Sequence, residues 1–244
     1  MSAVRAPRGE HQDAAQGAPP AGLSSEEFRR QADAISARYP NKRSALLPLM
    51  FLVQAAEGHV TEEGMREVAR ILELTPAQVL ASTSFYSMLK RRPQGDYLIS
   101  VCRNISCTHM GARKVIDAFR ERLGIEPGET TPDGRFTLET AECLATCDGA
   151  PSLQINYEDF YRVSAADAAD LVEGLESGRG VTSERGASVR THREVSYETA
   201  TVGLRVPGTA GEQTARTIGG ESPRADTAPG FRPRATGDVE GQGA

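Results

Sequence analysis

The chain has no tryptophan, only 5% aromatic residues, and just four cysteines among its 244 residues. So few large side chains mean that the packed part is shorter than the whole. Long apolar runs are also missing. The longest covers residues 45–53 and contains Pro48, against the roughly 20 residues that a membrane-spanning helix needs. No concentrated basic face accompanies the formal charge of −5, which argues against nucleic acid as a partner. There is no P-loop, and no Gly-x-Gly-x-x-Gly follows a strand; Gly178-Arg179-Gly180 lacks the third glycine. The first 22 residues hold two arginines but no apolar centre, so they do not read as a secretory signal. The expectation is a cytoplasmic chain without direct membrane insertion. In that reducing compartment a disulfide framework is disfavoured.

What is present divides into four stretches. Residues 1–22, rich in Ala, Gly, Pro and Gln, are expected to be disordered. Residues 23–92 read as a helical module. Ser24 or Ser25 caps a first helix with Phe28, Ala32, Ile35 and Tyr39 on one face, ended by Pro40. A second, apolar nearly all round, runs over 42–57 and closes at Gly58; it is expected at the centre of a bundle. Thr61 caps a third with Met65, Val68, Ala69 and Leu72 buried. Thr75-Pro76-Ala77-Gln78 opens a fourth, continued by Val79, Leu80, Phe85 and Met88.

Residues 93–177 change character. A strand over 97–101 runs into Cys102, a helix covers 111–123, and a strand over 136–140 delivers Cys143. A hairpin is expected over 152–163 with its turn at Glu158-Asp159, then a helix capped by Ser164. Helices covering a small mixed sheet make this half α/β. Beyond residue 177 periodicity fails and half of the 24 glycines accumulate, so residues 178–244 are expected to be a disordered tail.

All four cysteines fall between residues 101 and 151, as Cys102-x4-Cys107 and Cys143-x3-Cys147. Two short pairs separated by a supersecondary unit bring four thiolates together from two loops. Four soft anionic ligands suit an iron–sulfur cluster or a zinc ion, and spacing alone does not choose between them. The reading requires the four sulfurs to gather in one pocket. No Cys-x-x-Cys is present, which disfavours a thiol redox centre. His109 is near Cys107, but a Rieske-like site needs two histidines, and His11, His59 and His192 are remote in sequence. It reads as a surface histidine.

Several stretches carry a family resemblance: Arg43-Ser44-Ala45-Leu46-Leu47-Pro48, Gln54, Thr83-Ser84-Phe85-Tyr86, the loop from Val101 to Cys107, residues 127–136, and Glu142-Cys143-Leu144-Ala145-Thr146-Cys147 with Ala150-Pro151. Over roughly residues 24–177 the chain resembles the thioredoxin-like [2Fe-2S] ferredoxin family, the E subunits of the proton-pumping NADH:quinone oxidoreductases (respiratory complex I). Family members usually carry glycine where Ala145 stands. The resemblance implies a helical module followed by a thioredoxin-like ferredoxin domain. It also implies one [2Fe-2S] cluster held by Cys102, Cys107, Cys143 and Cys147. In that family the protein sits beside the flavin-bearing F subunit in the peripheral arm, at the inner face of the membrane, and exchanges single electrons with FMN; NADH and FMN bind the partner. The rival readings are a diaphorase component of an NAD-linked hydrogenase or formate dehydrogenase, and a zinc-stabilised binding module. Thioredoxin-like folds often have a cis proline before a strand, so Ala150-Pro151 is a candidate.

Overall fold

Capping residues set the starts of the first helices. A computed structural model describes residues 18–184 and 186–202. In α1 (Glu26–Ala37) the Ser25 hydroxyl accepts the Phe28 N–H at 3.1 Å, and Glu26 and Glu27 complement the positive helix start. Residues 42–45, expected as the first turn of the second helix, form a 3-10 turn, and α2 spans Leu46–Glu57. Pro48 therefore falls in the first turn of α2, where its missing N–H has no intrahelical partner to lose. Leu46, Leu49, Met50, Leu52, Val53 and Gln54 are all buried, as a central helix requires.

Thr61 caps α3 (Glu62–Leu72), and a Thr75–Gln78 capping box starts α4 (Pro76–Phe85). A Cβ on Gly64 would lie 2.3 Å from Val53, so only glycine lets α3 approach α2 this closely. The expected apolar continuation of α4 differs: only Val79 and Thr83 are buried, Phe85 is 81% exposed, and Met88 lies past the helix end.

The sheet follows. Strand β1 (Tyr97–Cys102) pairs in parallel with β2 (Phe136–Ala141) and antiparallel with β3 (Leu153–Ile155), which pairs with β4 (Glu158–Phe160). The order is β2-β1-β3-β4. Between β1 and β2 run a short helix, α5 (Ile105–His109), and α6 (Ala112–Leu123); α7 (Ala165–Glu176) follows β4. Ile99, Val101, Phe136 and Leu138 face Val115 and Phe119 of α6 and Val172 and Leu175 of α7. Alternation along the strands turns Ser100 and Glu139 to the opposite side. There Glu139 accepts from Ser100 Oγ at 2.6 Å and from Lys90 Nζ at 2.9 Å, joining the sheet to the end of the helical module.

Two further expectations need correction. The hairpin turns at Asn156-Tyr157, with φ of 47° and 71°, and Glu158 belongs to β4. Two consecutive left-handed residues are what a tight hairpin between twisted strands requires, and asparagine tolerates that conformation. The second concerns the tail. Residues 192–201, placed in the structureless segment, form α8 (His192–Thr201), which packs on α2 and closes the helical core with Tyr197 and Ala200. A Thr191–Glu194 capping box starts it. Thr182 and Ser188 form a bridge ahead of it, and Val181 and Val189 pack against the sheet core.

α8 is bonded to both halves. Ser196 Oγ receives the Gln54 side-chain amide at 3.0 Å, and Tyr197 the Gln31 amide at 2.9 Å. Arg193 donates to the carbonyls of Ala55 and Ala56 at 2.8 and 2.7 Å, satisfying the C-terminal end of α2. On the sheet side, the His192 N–H donates to the Asp96 carbonyl, and Asn156 Nδ2 donates to the Arg190 carbonyl. Residues 1–17 and 203–244, the remainder of the two expected tails, lie outside the described residues. Among the described residues no helix is long and apolar enough to cross a membrane.

Candidate metal centre

β1 ends on Cys102, and Asn104 then caps α5, which carries Cys107. Both thiols are buried. β2 runs out at Ala141, and the next loop carries Cys143 and Cys147, both exposed, before the 3-10 turn Cys147–Gly149. All four cysteines are free. The parallel ladder sets Cys102 opposite Ala141, so both loops leave the sheet at the same end. Leu144 and Ala150 pack against Cys102, Cys107 and Ala112. The Arg103 N–H donates to the Ala141 carbonyl at 2.9 Å, and the Arg103 and Glu142 side chains form an ion pair across the gap.

Sulfur here faces backbone N–H groups. Burial, and the Cys107 thiol alongside, push the Cys102 thiol above its usual range, while the amides of Asn104 and Leu144 oppose the rise. Leu144 belongs to the second loop and packs on Cys102 and Cys107, so the two loops adjoin there. The Ala145 N–H donates to Cys143 Sγ at 3.4 Å. Ser152 Oγ lies 3.5 Å from Cys107 Sγ and accepts from Thr146 Oγ1 at 2.7 Å, and its carbonyl accepts the Cys102 N–H at 3.1 Å. The Ala150–Pro151 bond just before it is cis.

The structure brings the two loops together but does not gather the sulfurs fully. Among the described residues no three cysteine, histidine or carboxylate side chains stand close enough to hold an ion. Cys102 and Cys107 are fixed by a strand end and a helix, whereas Cys143 and Cys147 ride on an exposed loop. His109 is exposed, as the surface reading expected. Sequence reasoning missed Leu144, Thr146 and Ser152. A hydroxyl directly after the ligand loop's proline was the available signal for Ser152.

The fit to a thiolate-bound cluster rests on the donor set: four free cysteines on two adjoining loops, with the Ala145 N–H directed at the Cys143 sulfur. The fold and site define a small α/β protein with a helical module and a cysteine-lined rim. Residues 32–176 match the model of the thioredoxin-like [2Fe-2S] ferredoxins, and the chain belongs to that family. It is 44% identical over 170 residues to the E subunit of the NADH-quinone oxidoreductase of Mycobacterium tuberculosis (strain ATCC 25618 / H37Rv), covering 69% of this chain and 68% of that one. It is also 40% identical over 146 residues to "NADH-quinone oxidoreductase subunit 2" of Thermus thermophilus, covering 59% of this chain and 81% of the relative. To the NADH-quinone oxidoreductase E 2 subunit of Rhizobium meliloti it is 37% identical over 162 residues, covering 66% and 96%. The family match stops before α8.

The backbone at Ala145 suits the glycine that the family resemblance leads one to expect there. Its φ is 59°, a left-handed conformation that costs an L-residue roughly 1–2 kcal/mol. Ala145→Gly is expected to raise stability by about 0.5–1 kcal/mol, after the offset from glycine's greater freedom in the unfolded chain. Urea midpoints of the two proteins measure it, and a lower midpoint for the glycine variant contradicts the assignment.

Proposed function

We propose that this chain is the electron-transfer component of an NADH:quinone oxidoreductase, holding one [2Fe-2S] cluster through Cys102, Cys107, Cys143 and Cys147. When bound, such a cluster accepts and returns single electrons at a potential set by its surroundings. The chain's own residues supply those surroundings. Cys102 and Cys107 offer a buried, low-dielectric side, and Cys143 and Cys147 an exposed one through which electrons pass to a partner. The amides of Asn104, Leu144 and Ala145 counter the negative charge on sulfur. The observation that carries the reading is the packing of Leu144, from the loop of Cys143 and Cys147, against Cys102 and Cys107, which brings the two cysteine loops together.

A single cluster moves one electron, whereas NADH releases two as hydride, so a flavin must stand between them. The partner proposed is the flavin-bearing F subunit of the peripheral arm, which holds FMN and binds NADH, at the inner face of the membrane. The resemblance to relatives named as parts of NADH-quinone oxidoreductases supports this.

Anaerobically purified protein is expected to carry two irons and two sulfides per chain and to give an EPR signal on reduction. Replacing any one of the four cysteines by serine is expected to lower iron content severalfold. Colourless protein with one zinc per chain overturns the cluster. Co-purification with a hydrogenase or formate dehydrogenase, instead of the flavin-bearing partner, overturns the assembly.

A further inference from the structure

Ser152 occupies a crossing point between both cysteine loops. Its carbonyl takes the Cys102 N–H at 3.1 Å, its hydroxyl lies 3.5 Å from Cys107 Sγ, and Thr146, the residue before Cys147, donates to that hydroxyl at 2.7 Å. Ser152 and Cys107 are each only 2% exposed, and Thr146 is also buried. Water therefore does not compete for any of these bonds.

The direction of the chain of bonds follows from proton count. Thr146 Oγ1–H donates to one lone pair of Ser152 Oγ, which leaves the Ser152 proton free to be given elsewhere. A metal-bound thiolate has no proton to give, so in the contact with Cys107 the hydroxyl must be the donor. Donation to a ligand sulfur favours the more negative, reduced state of a cluster, and a dry, polarised chain of two hydroxyls strengthens it.

Resting on the cluster reading above, we propose that Ser152 sets the reduction potential of this centre by donating to the Cys107 sulfur, with Thr146 as the positioning residue that aims it. A merely structural pair of hydroxyls would change stability on removal and leave the potential alone.

Redox titration of the cluster-bearing full chain, followed by EPR, separates the two. Ser152→Ala is expected to weaken electron affinity about tenfold, a potential lower by about 59 mV for one electron. Thr146→Val keeps the shape but removes the aiming donor, and is expected to shift the potential the same way by less. Thr146→Ser restores the donor and the wild-type value. Iron-replete Ser152→Ala with an unchanged potential overturns the proposal. Should that variant lose its cluster, an unchanged potential in iron-replete Thr146→Val overturns it equally. A wild-type chain that binds no iron instead overturns the cluster reading, and this proposal with it.

Discussion

Ending the chain after Gly178 is expected to lower the stability of the helical module by about 4 kcal/mol relative to a chain ended after Val202. The difference between the two reports the segment that carries α8. Its loss strips Tyr197 and Ala200 from a core that closes only with them. Removing a buried aromatic side chain costs roughly 3–5 kcal/mol. Gln54, fully buried, loses the Ser196 hydroxyl and keeps only its bonds to the Met88 carbonyl and the Lys90 N–H. The carbonyls of Ala55 and Ala56 lose the Arg193 guanidinium. A typical domain holds only about 5–15 kcal/mol in total, so this loss leaves the module marginal. Urea denaturation followed by helical circular dichroism measures it. Equal midpoints for the two truncations would show that α8 is an ornament on a module complete without it. Tyr197→Ala alone is expected to account for about 3 kcal/mol.

Acidification is expected to weaken the same junction through His192. This side chain is 2% exposed, both ring nitrogens lack a hydrogen-bond partner, and the Tyr157 ring meets it edge-on at 6.4 Å. Burial is the main cause that lowers its pKa from 6.5 to about 4; the Lys90 ammonium adds to the effect and the Glu139 carboxylate opposes it. The folded chain thus keeps the imidazole neutral at pH values where the unfolded chain has taken a proton. Stability from this group is whole above pH 6.5, falls as pH drops, and is exhausted near pH 4. At about 1.4 kcal/mol per pH unit the full loss is about 3 kcal/mol. His192→Leu removes the titration while keeping an apolar side chain in place. Urea midpoints at several pH values between 7.5 and 4 should therefore diverge, the wild type losing more than the variant. Parallel curves would place the charge elsewhere.

Much of the fold was legible because the signals were local. Ser25, Thr61, Thr75 and Ser164 cap helices as expected, and the alternation around Ile99 and Leu138 orients two strands. α8 escaped because its buried face is mostly polar: His192, Ser196, Tyr197, Ala200 and Thr201 make no apolar stripe. Its one legible sign was the Thr191-x-x-Glu194 box. Glu158-Asp159 reads as a turn from composition, two residues beyond the left-handed pair Asn156-Tyr157 that makes it. The cysteine pairs were plain from spacing. Spacing does not record which amide or hydroxyl meets each sulfur, so the parts played by Leu144 and Ser152 waited on the three-dimensional arrangement.

The bond between Gln54 and Ser196 spans 142 residues of sequence. A ribosome adding about 5–20 residues per second needs roughly 7–30 s to cover that distance. Throughout this interval the flank of α2 that α8 will cover stands bare, while everything from β1 to α7 emerges ahead of the missing piece. The first half of this chain to be translated is therefore the last to be finished, its central helix waiting on the far end of the described chain for its cover.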